Sequence, residues 1–176
     1  FYVHALSLLM VLVVTFISFL IHLYSTEFMR RDEGYARFFA YMNLFVGSMC
    51  ILVLADNLLF LYLGWEGVGL CSYLLIGFWY RHPANGRAAR KAFIVTRVGD
   101  TAMAIGFFLL FTHLGTLDIQ PLMQRATQQW PEGSELAILA AALLLGGAVG
   151  KSAQLPLQTW LPDAMAGPTP VSALMH

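Results

Sequence analysis

The fold of this chain is decided by residues 57–80, NLLFLYLGWEGVGLCSYLLIGFWY. An α-helix needs about 20 predominantly apolar residues to cross a bilayer, so this run predicts a transmembrane helix. Glu66 lies near its middle. An ionised carboxylate at that depth costs about 3 kcal/mol on insertion scales, and such groups usually face a partner or a water-filled path. Glu66 is therefore the first candidate functional residue.

Composition extends this prediction to the whole chain. Hydrophobic residues make up 59% of the sequence and charged residues 11%, with a mean hydropathy of +0.68. These values lie outside the range of soluble domains and predict a membrane protein. Together with apolar runs long enough to cross a bilayer, they predict an all-α protein, a polytopic bundle of transmembrane helices. Ten basic and ten acidic residues cancel, which argues against a nucleic-acid partner, because such a partner needs a basic face.

Cofactor and metal sites find no support in the sequence. Cys50 and Cys71 lie in apolar stretches and do not form a C-x-x-C pair, so a metal site or an iron–sulfur cluster has no cysteine ligands. The glycines Gly64, Gly67 and Gly69 fall within an apolar run, not between a strand and a helix as a dinucleotide fingerprint requires. We therefore predict no cofactor and no metal in this chain.

Apolar runs place five membrane passes and the start of a sixth. The predicted passes are residues 3–24, 38–54, 57–80, 92–114 and 136–152, and a further helix begins at 171. Residues 120–129 could form a short surface helix, which the sequence does not decide.

Basic residues predict the orientation of these passes. Residues 25–37 and 81–91, which share one side, contain seven: Arg30, Arg31, Arg37, Arg81, Arg87, Arg90 and Lys91. Residues 55–57 and 115–135 on the other side contain Arg125 alone. The positive-inside rule therefore predicts that the first pair of segments is cytoplasmic and the second periplasmic.

Three further charged residues fall within the predicted passes. Arg97 and Asp100 are spaced i, i+3, so they share one helix face and can pair. One interpretation is a self-satisfied ion pair that only orients the helix. In the other, Asp100 takes part in proton transfer and Arg97 sets the local field, because arginine does not readily release a proton.

Lys151 lies beside a predicted helix break. It follows the small residues 146–150 and precedes Pro156 and Pro162, which remove backbone donors and obstruct a helix. A broken helix at membrane depth is tolerated where protein or a watery cavity satisfies its backbone, so this pattern is typical of a transport site. A lysine that reaches the interface from a helix end is the alternative. Near an acid such as Glu66, the proton affinities of the two groups become interdependent.

Histidines add one candidate. His176 follows the turn at residues 167–170 and would point into the membrane if the new helix continues. Its titration range suits a proton relay. The remaining histidines, His4, His22, His82 and His113, lie in a loop or near helix ends and do not offer the matched pair that a haem requires.

Four motifs together resemble one family. They are GWEGVGLCSYLLIGFW at 64–79, TRVGD at 96–100, GGAVGKSAQLPLQTW at 146–160 and GPTPVSALMH at 167–176. This combination resembles the antiporter-like subunits of respiratory complex I, specifically the L-type member.

The resemblance implies roles for the candidate residues. Glu66 and Lys151 would form the central proton-translocating pair, Arg97 and Asp100 the Arg-x-x-Asp of the sixth helix, and His176 the histidine that opens the eighth. Residues 1–176 would be a single membrane domain, covering the third to seventh helices in the N-terminal half of a longer subunit.

The implied function is proton translocation as a subunit of NADH:quinone oxidoreductase in a bacterial inner membrane. The implied partners are the other membrane subunits of complex I and the lipid bilayer, with no redox chemistry in this chain. Two alternatives remain open. One is a subunit of a multisubunit cation/proton antiporter that exchanges sodium. The other is a scaffold segment whose buried charges only lock helices together.

Overall fold

The computed structural model describes residues 1–175, and its secondary-structure elements over that range are all helices. Its helices are α1 (Ala5–Phe28), α2 (Tyr35–Val53), α3 (Leu58–Ile76), α4 (Pro83–Leu114), α5 (Ile119–Gln129), α6 (Glu135–Lys151) and α7 (Thr169–Met175). Two short 3₁₀ helices, Gln158–Trp160 and Asp163–Ala166, join α6 to α7. The predicted all-α membrane bundle is confirmed.

Four of these helices, α1 to α4, are long and apolar enough to cross a membrane. The fifth predicted pass corresponds to α6, which has 17 residues. At 1.5 Å per residue it is about 26 Å long, less than the roughly 30 Å of the hydrocarbon core. It ends at Lys151, and Ala153 then adopts a left-handed φ of 50°. The predicted break near Lys151 is confirmed. The short helix near residues 120–129, which the sequence left undecided, is present as α5.

The start of the fourth pass differs from the prediction. We placed residues 81–91 in a loop and began the helix at 92, whereas α4 begins at Pro83. Proline is favoured in the first helical turn, and the alanine-rich segment 84–92 has high helix propensity. Hydropathy alone missed this segment because it also carries Arg87, Arg90 and Lys91, which are exposed.

Contacts between the connecting segments support the predicted pairing of loops on each membrane face. On one face Arg81 forms an ion pair with Glu33 at 3.5 Å, and the Trp79 indole donates to Asp32 at 2.8 Å. On the other face the Leu58 amide donates to the Leu117 carbonyl at 2.8 Å. Segments 29–34 and 77–82 therefore lie together, as do 54–57 and 115–118.

Helices α4 and α6 cross where glycines face each other. A Cβ atom added at Gly99 would lie 2.8 Å from the carbonyl oxygen of Gly146 and 3.0 Å from the Cα of Gly150. Both contacts are with backbone atoms, so the helices would have to separate. This close approach brings the end of α6, and hence Lys151, against α4.

Gly99→Ala is expected to lower the free energy of unfolding of the full subunit by about 1–3 kcal/mol, the usual effect of overpacking. Gly47→Ala is the matched control, because a Cβ there meets nothing within 4 Å. Unfolding in detergent, followed by circular dichroism, measures both variants. Equal stability of the two would contradict a tight α4–α6 crossing.

Candidate functional site

Four charged side chains from three helices meet in the middle of the bundle. Glu66 comes from α3, Arg97 and Asp100 from α4, and Lys151 from the end of α6. Glu66 forms an ion pair with Arg97. The Nε of Arg97 lies 4.0 Å from Oδ2 of Asp100, and Nζ of Lys151 lies 3.4 Å from the same oxygen. We call this series, Glu66–Arg97–Asp100–Lys151, the charge chain.

Asp100 is the junction of the charge chain. Its side chain is 1% exposed, against 18% for Lys151, 20% for Glu66 and 34% for Arg97. A buried carboxylate requires ion-pair and hydrogen-bond partners. Asp100 has one near cation on each side, and the Trp65 indole donates to its Oδ1 at 2.6 Å. The carboxylate is therefore contacted by three groups, two cations and one indole N–H.

The sequence did not single out Trp65. Besides its hydrogen bond to Asp100, its ring lies 5.8 Å from Nζ of Lys151, within the range of a cation–π contact. The sequence does contain a feature that could have identified it. Trp65 directly precedes the intramembrane Glu66, and a buried tryptophan needs an acceptor for its N–H. Trp65 thus contacts both ends of the Asp100–Lys151 pair.

The direct partner of Glu66 differs from the one we inferred from the sequence. We expected Glu66 and Lys151 to act as neighbours, but within residues 1–175 the ion pair of Glu66 is with Arg97 and that of Lys151 is with Asp100. The reason is the i, i+3 spacing on α4, which presents a cation and a carboxylate to α3 and α6 together. Among the described residues, the ion pairs that lie between Glu66 and Lys151 are therefore made by Arg97 and Asp100 of α4.

Space around the Lys151 ammonium comes from a glycine and a cavity. A Cβ on Gly69 would lie 2.7 Å from Nζ of Lys151, so a larger residue there would displace the end of the lysine side chain. Beside it lies a cavity of about 260 Å³, lined by residues that include Trp65, Ser72, Lys151 and Trp160. A water molecule occupies about 30 Å³ in the liquid, so the cavity has room for several.

His176, the remaining candidate, lies outside the described residues. Its predicted relay role stays a prediction.

Comparison with known proteins identifies the family. Residues 55–176 match the family model described as "NADH:quinone oxidoreductase/Mrp antiporter, TM". The chain belongs to this antiporter-like family. Residues 1–39 also match "NADH-Ubiquinone oxidoreductase (complex I), chain 5 N-terminus". The matched antiporter region contains Glu66, Arg97, Asp100 and Lys151, and thus the whole charge chain.

Antiporter-like relatives are similar over nearly the entire chain. The NADH-quinone oxidoreductase subunit L of Pseudomonas aeruginosa is 66% identical over 99% of this chain, and that of Escherichia coli is 63% identical over 97%. The chain spans 28% of the length of each. The predicted resemblance to L-type subunits is confirmed.

A solved structure of the antiporter-like family shares the fold. The structure of the Mrp complex from Dietzia sp. superposes with a TM-score of 0.89 at 32% identity. The match covers 97% of this chain and 18% of the Mrp chain.

Trp65→Phe is expected to lower the free energy of unfolding of the full subunit by about 1.5–3 kcal/mol, because it removes a hydrogen bond to a buried carboxylate. Trp79→Phe is the matched control: it removes an indole bond of 2.8 Å to Asp32, whose side chain is partly exposed, and should have a smaller effect. Detergent unfolding of both variants tests this. A larger effect for Trp79→Phe would contradict the role assigned to Trp65.

Proposed function

We propose that this chain is the part of a complex I membrane subunit in which the charge chain couples proton uptake and release. The single observation that carries the proposal is the continuity of Glu66, Arg97, Asp100 and Lys151 across α3, α4 and α6. Intramembrane ionisable groups in such arrangements are typical of ion and proton pathways.

Arg97 is the coupling element in this proposal. It remains protonated and lies between two carboxylates, ion-paired to Glu66 and 4.0 Å from Asp100. If Glu66 is neutralised, the Arg97 guanidinium is free to turn towards Asp100. Arg97 then competes with Lys151 for that carboxylate, and the proton of Lys151 is held less tightly.

The electrostatic energy suffices for such a switch. Two unit charges about 4 Å apart interact by about 4 kcal/mol at an effective dielectric constant of about 20. One factor of ten in an equilibrium corresponds to about 1.4 kcal/mol. Loss of the ion pair between Lys151 and Asp100 would therefore change the proton-binding equilibrium of Lys151 by more than about tenfold. Glu66 modulates, Lys151 holds and releases the proton, and Asp100 with His176 extends the path.

We also propose the complex and the membrane in which this chain lies. The subunit works with other membrane subunits of NADH:quinone oxidoreductase, and electron carriers lie elsewhere in the complex. The basic segments 25–37 and 81–91 face the cytoplasm of a bacterial inner membrane, and segments 55–57 and 115–135 face the periplasm. The excess of Arg and Lys in the first pair supports this orientation.

A second candidate is a subunit of a sodium/proton antiporter. Similarity to the Mrp complex structure favours it. Transport by the reconstituted complex with and without sodium separates the two: a proton pump works equally well in both, whereas an exchanger requires sodium.

Glu66→Gln in the complete, reconstituted complex tests the proposal. We expect normal assembly and proton pumping through this subunit that is at least about tenfold slower, since one ion pair is worth more than 1.4 kcal/mol. Glu33→Gln is the matched control, because Glu33 is an 87% exposed acid paired with Arg81. Full pumping in Glu66→Gln would overturn the proposal. Reduced assembly with activity lost only in proportion would support the scaffold alternative.

A further inference from the structure

A second cluster of charges lies away from the charge chain, between the segments 29–34 and 77–82. These segments enclose a cavity of about 440 Å³ whose lining includes Arg31, Arg37 and Arg81. The same segments carry the aromatic residues Trp79 and Tyr80, which are typical of a membrane interface. The cavity is therefore a basic recess at the level of the lipid headgroups.

Arg37 is fixed in place within this recess. Its guanidinium lies 4.8 Å from the ring centroid of Phe78 and 4.9 Å from that of Tyr80. Its Nη2 donates to the carbonyl oxygen of Phe78 at 3.3 Å, and its buried Nε has no hydrogen-bond partner. Two stacked rings thus orient a planar donor before any ligand arrives, which is the geometry that favours phosphate recognition.

The acids of the recess do not neutralise its arginines. Asp32 accepts hydrogen bonds from the Trp79 indole at 2.8 Å and from the Gly34 amide at 2.7 Å. Glu33 pairs with Arg81 at 3.5 Å but is 87% exposed, so the pair is weak. Within residues 1–175 the structure gives Arg31 no ion-pair partner. Three arginines against two carboxylates leave the recess positive.

The positive potential of the recess also acts on the phenol of Tyr80. A hydrogen bond from Arg37, followed by the charges of Arg37 and Arg81, lowers the pKa of its phenol below the ordinary value. Tyr80 lies in the segment 77–82, outside the membrane-spanning helices.

An apolar cavity adjoins the basic recess. It has a volume of about 270 Å³ and shares Arg37, Phe78 and Tyr80 with the recess. Its remaining lining includes Tyr41, Tyr73, Leu74, Gly86 and Ala89 from α2, α3 and α4. We call the basic recess and the adjoining apolar cavity the double cavity; its charged part and its apolar part match the two halves of an amphiphile.

We propose that this double cavity binds an anionic glycerophospholipid. The phosphate lies against Arg37, with Arg31 and Arg81 at the rim, and the proximal part of one acyl chain lies along Tyr73 and Leu74. Basic pockets between transmembrane helices are suited to anionic headgroups. The lipid site shares no residue with the charge chain. A failed test of one proposal therefore leaves the other unaffected.

The headgroup half is tested in the complete complex, delipidated and then titrated with photoactivatable phosphatidylglycerol. We expect the double variant Arg31→Gln/Arg81→Gln to bind the probe at these segments about 30-fold more weakly, from about 1 kcal/mol per arginine near the surface. The matched control is Arg87→Gln/Arg90→Gln, which removes two exposed charges from α4 on the same side and should bind normally. Equal labelling of both double variants would overturn the proposal.

Two further probes separate a lipid from other ligands. Photoactivatable phosphatidylcholine, which has no net charge, should label the site at least tenfold less than phosphatidylglycerol; equal labelling would overturn the anionic assignment. Inorganic phosphate at millimolar concentration should not displace the lipid. Complete displacement would mean a phosphate site only and would overturn the lipid assignment.

The acyl half is tested by filling the apolar cavity. Gly86 lines it, and a Cβ there meets nothing within 4 Å, so Gly86→Phe should reduce labelling at least tenfold. Gly47→Phe is the matched control, since Gly47 also has open space around it and lies elsewhere on α2. Labelling unchanged in Gly86→Phe would show that no acyl chain enters, which contradicts the proposal.

Discussion

Replacing Asp100 with asparagine is expected to lower the free energy of unfolding of the full subunit by about 3–5 kcal/mol, the usual effect of removing one partner from a buried ion pair. Asp100 is 1% exposed and accepts contacts from Lys151 and Arg97. Asparagine has nearly the same shape and can still accept the Trp65 indole, so the change isolates the loss of charge. Detergent unfolding of the subunit, followed by circular dichroism, measures it.

Asp163→Asn is the matched control for Asp100→Asn. Asp163 also pairs with a lysine, Lys91, at the shorter distance of 2.7 Å, but both side chains are more than 40% exposed. Exposed pairs contribute about 0.2–1 kcal/mol. A loss in Asp100→Asn no larger than that of Asp163→Asn would contradict the assignment of Asp100 as the buried junction.

Replacing Lys151 with alanine is expected to reduce proton pumping through this subunit by about 100-fold, the typical contribution of one positioned proton-transfer group. The complex should still assemble, because Asp100 keeps Arg97 at 4.0 Å and the Trp65 indole at 2.6 Å. Proton uptake by proteoliposomes, normalised to the amount of assembled complex, measures the effect.

Lys91→Ala is the control for Lys151→Ala. Lys91 also has an aspartate partner, but it lies in the N-terminal third of α4 and its side chain is 44% exposed. Pumping should be unchanged in this variant. Unchanged pumping in Lys151→Ala as well would contradict the proton-holding role of Lys151.

Most of the helical architecture could be predicted from the sequence because the bilayer imposes a length and an apolar composition. The runs that became α1, α2 and α3 each satisfy both requirements. The same reasoning failed at the start of α4, where the exposed Arg87, Arg90 and Lys91 interrupt the apolar pattern but not the helix. A hydropathy pattern indicates which residues lie in the lipid. It does not indicate the residue at which helical hydrogen bonding begins.

The members of the charge chain could be predicted, but their pairing could not. An intramembrane charge is conspicuous in any sequence, so Glu66, Arg97, Asp100 and Lys151 were all found. Their partners depend on how each helix is rotated about its axis and how closely helices approach. That rotation is set by packing such as the Gly99–Gly150 contact. Such a contact produces no periodic pattern in the amino-acid sequence. The sequence therefore suggested Glu66 with Lys151 where the structure has Glu66 with Arg97.

The double cavity at Arg37 shows the same limit. From the sequence, its arginines predicted only the orientation of the chain in the membrane, because they lie in two segments about 45 residues apart. The contacts of Arg37 with the rings of Phe78 and Tyr80 require α2 to pack against the segment that follows α3.

The central claim is that Glu66 acts on Lys151 through Arg97. Proton pumping by the reconstituted complex carrying Glu66→Gln, measured in the normal and the Arg97→Gln backgrounds, tests it most directly. The charge chain predicts that Glu66→Gln slows pumping at least about tenfold in the normal background and has no further effect once Arg97 is replaced. An equal slowing in both backgrounds would mean that Glu66 acts without Arg97 and would contradict the account.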